Sequence, residues 1–280
     1  MPSINLKYVY KNIAFVLLIL YSKSILAQSA RDYSDSATAK AISGNYDEAI
    51  YYYNVSIKLN PMLINAYHNR GYVYSLMGKD SLAVEDFTKV IQMIPNLPDV
   101  ELCYLNRGDI FFKQEKYTEA IQDFLNAIKI KPKNYRTFNS LGLAYFNNGQ
   151  KSKAIEAYDS AIVINPYYST AYYNKGILFA GINNDRNAII NFDNAIQIDS
   201  LYEEAYFNRA LSKISENSYQ SAIEDINKSI NFNPNYGIYF LTRGFAKKLN
   251  DDEVGACADF KKALDLGESK ANEMINSYCK

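Results

Sequence analysis

Histidine is almost missing from this chain: His68 is the single one in 280 residues. That scarcity removes most imidazole-based metal sites and proton relays at the outset. Three cysteines are too few to build a disulfide scaffold. Tryptophan is absent, and seven prolines with twelve glycines exclude a low-complexity or collagen-like chain. Neither sign of charge prevails, since thirty Lys and Arg balance thirty Asp and Glu. A strongly basic nucleic-acid binder and an acidic disordered tail are both disfavoured by that balance. What is present is enough apolar material for a core, 48% of residues, and a surplus of tyrosine, twenty-six in all.

The N-terminus reads as an address. Lys7 and Lys11 precede the apolar run Ile13–Leu20, and Ser24-Ile25-Leu26-Ala27 leads into Gln28. A basic start, a short apolar stretch and a small residue at a cleavage point together predict a secretory signal peptide over 1–27. The run is about half the roughly 20 residues that cross a bilayer, so no membrane span is expected in the mature chain. Removing 1–27 takes three lysines and no acid, which leaves a formal charge of −3. The uncleaved alternative is a membrane anchor or a buried N-terminal helix. Cleavage predicts a periplasmic, extracellular or envelope-associated protein.

The remainder, 28–280, is one unit repeated. Ala49, Ala83, Ala120, Ala154, Ala188, Ala222 and Ala256 recur at intervals of 34, with one interval of 37. Four residues after each stands Tyr53, Phe87, Phe124, Tyr158, Phe192, Ile226 or Phe260. Gly71, Gly108, Gly142, Gly176, Ala210 and Gly244 keep the same frame, as do Pro61, Pro95, Pro132, Pro166, Ser200 and Pro234. A fixed period of this length means stacked supersecondary units. Within 135–168 the spacing is helical: Phe138, Leu141, Gly142 and Tyr145 share one face, and Ala154, Tyr158 and Ala161 another. Asn147-Asn148-Gly149 interrupts the two, and Asn165-Pro166 ends the second. Small residues at Gly142 and Ala154 let two antiparallel helices approach closely.

On these residues the chain resembles the tetratricopeptide repeat family, whose pattern is a large residue, Leu-Gly, Tyr, Ala, an aromatic and Pro. The frame places repeats at 30–63, 64–97, 101–134, 135–168, 169–202, 203–236 and 237–270, with a cap helix at 271–279. The resemblance implies an all-α fold, a right-handed superhelical solenoid of seven helix-turn-helix repeats plus that cap, because a terminal repeat needs a polar outer cover. Twelve of the tyrosines fall on framework positions, which discounts a base-stacking surface for nucleic acid.

Candidate chemistry is sparse. Gly71…Gly78-Lys79 has the wrong spacing for a phosphate loop and reads as a packing glycine followed by a turn. Asp251-Asp252-Glu253 lacks the alternating oxygens of a calcium loop and suits the start of a helix. No catalytic or metal site and no cofactor is expected. Cys257 and the cap residue Cys279 are expected close together. They either form a disulfide, worth roughly 3 kcal/mol for a loop of this size, or stay two small buried hydrophobes. Cys103 reads as a buried thiol.

The family resemblance implies a peptide- or protein-binding groove lined by the first helices of the repeats. The matching candidates are Asn69, Tyr72, Asn106, Phe112, Asn139, Phe146, Tyr173, Asn174, Phe207 and Asn208. In peptide-binding members, asparagines such as Asn69, Asn106, Asn174 and Asn208 satisfy a ligand backbone. The paired cations of a carboxylate clamp are missing: Leu105, Asp109, Tyr173 and Ile177 occupy those places. An apolar segment of a protein partner suits the face better, although the same residues also serve to pack neighbouring helices. The expected function is a non-catalytic, exported binding scaffold. The alternative is a structural or accessory subunit of a cell-envelope assembly or enzyme complex.

Overall fold

A computed structural model describes residues 6–95 and 98–279, and every regular element among them is helical. In chain order the helices are α1 (Leu6–Ile42), α2 (Tyr46–Leu59), α3 (Ile64–Leu76), α4 (Asp80–Met93), α5 (Glu101–Lys113), α6 (Tyr117–Ile130), α7 (Tyr135–Asn147) and α8 (Lys151–Ile164). They continue as α9 (Ser169–Ala180), α10 (Asp185–Ile198), α11 (Glu203–Ser215), α12 (Tyr219–Phe232), α13 (Gly237–Leu249), α14 (Glu253–Asp265) and α15 (Lys270–Tyr278). A 3-10 turn at Pro98–Val100 occupies the three-residue insertion. The chain divides into two compact units, one ending at Pro132 and the other beginning at Lys133.

Seven turns join first helix to second helix, and one backbone device builds them all. Gly44, Gly78, Glu115, Gly149, Asn183, Asn217 and Asp251 each take a positive φ, between 57° and 79°. The next amide then reaches back five residues, as in Lys79 N to Tyr74 O at 2.8 Å and Gln150 N to Tyr145 O at 2.8 Å. This left-handed closure satisfies carbonyls that the helix end leaves free. Second helices end in a different way. Asn60 and Asn165 accept from the amide two residues on, at 3.1 Å in each case. Asp199 does the same at 3.0 Å, which explains why Ser200 can replace proline there: the side chain supplies the turn.

Helix pairs meet at the framework glycines. A Cβ placed on Gly142 would lie 2.5 Å from Tyr158 Cε1, and one on Gly176 or Gly244 only 2.6 Å from its facing phenylalanine. Tyr158, Phe192 and Phe260 are fully buried against these backbones. In α11 and α12 both partners change together: Ala210 gains the methyl and Ile226 gives up the ring.

A ladder of ion pairs runs through both units, sixteen residues apart each time. Arg70 holds Asp86 through Nε and Nη2, and Arg107 holds Asp123 likewise, at 2.6–2.8 Å. In the second unit Arg209–Asp225 and Arg243–Asp259 repeat the geometry. Such bidentate pairing is the strong form of the interaction. The remaining nitrogen, Nη1, crosses to the preceding repeat: Arg70 to Asn54, Arg107 to Thr88, Arg209 to Asp193 and Arg243 to Asn227. One side chain thereby ties three helices. Lys175 keeps only the crossing bond, to Asp159 at 2.5 Å, because Asn191 stands where the aspartate would be. Leu141 and Ala157 fill both positions of the pair in α7 and α8, and both are buried.

The C-terminal unit closes on α15. Ala271 is fully buried, and Met274 and Ile275 pack onto Phe240, Leu241 and Phe260. Asp252 caps α14 by accepting from Gly255 N at 2.9 Å, so the acidic run acts as a helix start. A disulfide joins Cys257 to Cys279 across a separation of 22 residues. Reduction removes the loop constraint from the terminal helix alone. We therefore expect trypsin to cleave at Lys270 at least tenfold faster in reducing buffer, with α7–α13 left intact, as followed by mass spectrometry. Equal rates in both buffers would show that apolar packing alone holds α15.

Helix α1 runs without a break through the predicted cleavage point at 27/28. No proline or glycine lies between Ser24 and Ile42 to stop it. The first five residues of the leader fall outside the described residues. Among the described residues, no helix is long and apolar enough to cross a membrane.

Candidate protein-binding faces

First helices lie side by side within each unit: α3 touches α1 and α5, and α9 touches α7 and α11. The candidate residues therefore fall on two separate faces. Asn69, Tyr72, Asn106 and Phe112 belong to the first unit; Asn139, Phe146, Tyr173, Asn174, Phe207 and Asn208 belong to the second.

On the second face, most of the polar capacity is already engaged between repeats. Asn174 Nδ2 donates to Asn139 Oδ1 at 2.9 Å, and Asn139 is only 6% exposed. Asn208 Nδ2 donates to the Tyr173 hydroxyl at 3.1 Å and to its own helix at Glu204 O. Tyr173 is further held by Tyr202 and Phe192, with ring centroids 4.8 and 5.9 Å away. Phe207 lies tilted against Tyr239, with ring centroids 4.7 Å apart. Phe146 packs against the buried cluster of Ala154, Tyr158 and Leu178. Asn174 and Asn208, which the resemblance implied for a ligand backbone, have their amides engaged between repeats, on Asn139 and Tyr173. The physical reason is that an amide on one first helix lies within reach of polar atoms on the first helix of the preceding repeat. The asparagine pattern alone could not tell the two uses apart.

The first face is more open. An apolar pocket of about 240 Å³ lies between α1, α2 and α3, with Ile42, Tyr72, Val73 and Leu76 in its wall. Ile42 is 83% exposed, and Tyr72 and Leu76 are 51% exposed each. Beneath it, the Tyr53 hydroxyl and Thr38 Oγ1 bond at 3.0 Å, and Asn69 Nδ2 reaches Thr38 at 3.5 Å. Asn69 also bonds His68 Nδ1 at 3.1 Å, whereas His68 Nε2 is buried without a partner. Phe112 sits edge-on to Tyr117 at 5.5 Å.

On α5 the candidate Asn106 stands beside Asp109, an acid that the sequence marked only as the absence of a clamp cation. Asn106 and Asp109, one turn apart, make no side-chain hydrogen bond or ion pair to any described residue. Burial pushes the Asp109 carboxyl up to about 6, with Lys113 only partly opposing it. Among the described residues, no group of three or more His, Cys, Asp or Glu is arranged to hold a metal ion.

Comparison with known families follows the same periodicity. A model described as TPR repeat matches 39–78 and 108–149. Models described as tetratricopeptide repeat match 135–168, and 64–97 with 203–236. Together they span more than half of the chain. No curated protein sequence matches it. Among solved structures, MamA is 27% identical, covering 63% of this chain and 96% of its own, with a TM-score of 0.57. The C-terminal part of a TPR repeat-containing protein from Cytophaga hutchinsonii is 19% identical and covers 85% and 98%, with a TM-score of 0.71. YrrB, described as a TPR protein with an unusual peptide-binding site, is 20% identical and covers 70% and 97%, with a TM-score of 0.56. This repeat fold is generally a non-catalytic scaffold for protein–protein interaction. On the repeat frame, the all-helical structure and these matches, the chain belongs to the tetratricopeptide repeat family.

Proposed function

We propose that this protein is an exported, non-catalytic scaffold that binds a segment of a partner protein on the first-helix face of its N-terminal unit. The observation that carries the reading is the apolar pocket beside Ile42, Tyr72 and Leu76, three large hydrophobic residues left in water. Apolar surface of this kind is stabilised when a partner covers it. The peptide-binding description of YrrB supports a peptide or protein as the ligand class. Export rests on the basic, apolar and small-residue order of 1–27.

The test places a photo-crosslinking amino acid at Tyr72 in living cells, with a second variant at the solvent-exposed Val163 as the control. Discrete adducts from position 72 and none from 163 are expected. Adducts from both positions alike, or from neither, would refute the face assignment. The mass of the protein recovered from the envelope or medium reads the leader directly: a start at Gln28 is expected, and an intact N-terminus would refute cleavage.

A further inference from the structure

The first face carries an apolar pocket and, on α5, a carboxylate with no hydrogen bond or ion pair to any of the described residues. Tyr72 and Asp109 hold equivalent places, each directly after a framework glycine, Gly71 on α3 and Gly108 on α5. At this place the second unit carries only apolar residues: Leu143, Ile177, Leu211 and Phe245. Asp109 is thus the one acid in the row. Lys113, one turn along α5, is exposed and forms no ion pair with it. Asn106, on the same side of α5, has its amide free, unlike Asn174 and Asn208 at the matching positions of the second unit.

Resting on the reading of this face as a peptide-binding surface, we propose that it selects an extended segment carrying a large apolar side chain and, about three residues away, a lysine or arginine. The apolar side chain fills the pocket beside Ile42, Tyr72 and Leu76, and the cation meets the Asp109 carboxylate. The spacing follows from geometry. Neighbouring helix axes stand about 8–10 Å apart, and an extended chain rises about 3.3 Å per residue. The Asn106 amide lies on α5 one turn before Asp109, where it can donate to and accept from the backbone of the segment. Charge complementarity favours a cation: a half-buried carboxylate that Lys113 compensates only partly is stabilised by an opposite charge and repels an acid. The raised titration of Asp109 agrees with that environment. Pairing with a cation draws the group back toward its ionised form.

The experiment measures binding of the full chain to fluorescent dodecapeptides by anisotropy. The probes carry Leu or Phe with Lys three residues away, in both orders, in an Ala/Ser background. Matched sets replace Lys by Glu, or the apolar residue by Ser. For the wild-type chain, Lys peptides are expected to bind at least tenfold tighter than Glu peptides, and the Ser set at least tenfold weaker than its apolar parent. Asp109→Asn is expected to shrink the Lys-over-Glu ratio below threefold and to fold normally, since it removes a buried charge. Leu76→Ser should weaken the Lys peptides while leaving their advantage over Glu peptides in place. A Lys-over-Glu ratio near one in the wild type, or one unchanged by Asp109→Asn, overturns the cation subsite while the apolar face stands. If no peptide of any set binds, the peptide-binding reading of the face fails, and the subsite fails with it.

Discussion

Replacing Arg107 by leucine is expected to cost about 3–5 kcal/mol of stability, because it leaves an uncompensated buried carboxylate. Asp123 has a side chain only 4% exposed and receives two of its hydrogen bonds from that one guanidinium. The same change releases Thr88 in the preceding repeat, so the second and third repeats loosen together. The decisive comparison is the double variant Arg107→Leu/Asp123→Ala. It copies the pair Leu141 and Ala157 that α7 and α8 already carry, both buried. A buried ion pair exchanged for apolar residues of matching shape is often neutral or stabilising. The double variant is therefore expected to return to within about 1 kcal/mol of the parent. Urea unfolding followed by circular dichroism measures all three proteins. A single variant within about 0.5 kcal/mol of the parent would mean that Asp123 finds water or another donor at little cost.

A second large effect is expected where backbone meets ring. Gly142→Leu should cost about 3 kcal/mol or more, since overpacking a filled core typically costs 1–3 kcal/mol and this side chain brings four carbons to a site with room for none. The first of them would sit 2.5 Å from a ring carbon of Tyr158, a residue with no exposure and so no direction in which to yield. Gly142→Ala tests the same contact more gently: alanine gains about 1 kcal/mol in helix propensity, so a net loss isolates the clash. In that background Tyr158→Ile should recover stability, as the pairing of Ala210 with Ile226 indicates. The first repeat holds Ala37 and Tyr53 together. There α1 packs chiefly on α2 and α3, with fewer neighbours to fix its distance. A stabilising Gly142→Ala would show that α7 and α8 separate freely and that the small residue is not required.

Much of the repeat architecture was legible because it is written in backbone requirements. A glycine under a ring, a left-handed turn residue and an Asn-Pro stop each allow few amino acids, so they recur visibly. The Arg–Asp ladder was equally periodic, with Arg70, Arg107, Arg209 and Arg243 each sixteen residues before an aspartate. It passed unnoticed in the sequence because charged residues on helices are usually solvated, and pattern alone does not reveal burial. The same blindness applied to the candidate faces. Asn69, Asn106, Asn174 and Asn208 look identical in sequence, yet only Asn106 keeps its amide free, because that depends on what the neighbouring repeat presents. The pocket beside Leu76 and the lone Asp109 became meaningful only once adjacent first helices were set side by side. The leader and first repeat read as separate segments by composition, whereas the backbone makes one helix of them, since nothing between them disfavours helix.

Cys103 is buried on α5, against Phe87 and Val90 of α4, and burial pushes its thiol up to about 12, well away from the reactive thiolate. Its importance lies in the chain before it folds. Three thiols allow three pairings, and only Cys257 with Cys279 closes across the cap. The correct loop is also much the shortest, and each doubling of loop length costs only about 0.6 kcal/mol. With about three doublings between right and wrong, local closure is favoured by roughly twentyfold over either mispairing. Chain entropy biases the choice of partner, and the third repeat then shuts away the leftover thiol. Disulfide exchange therefore has a window that the fold itself closes.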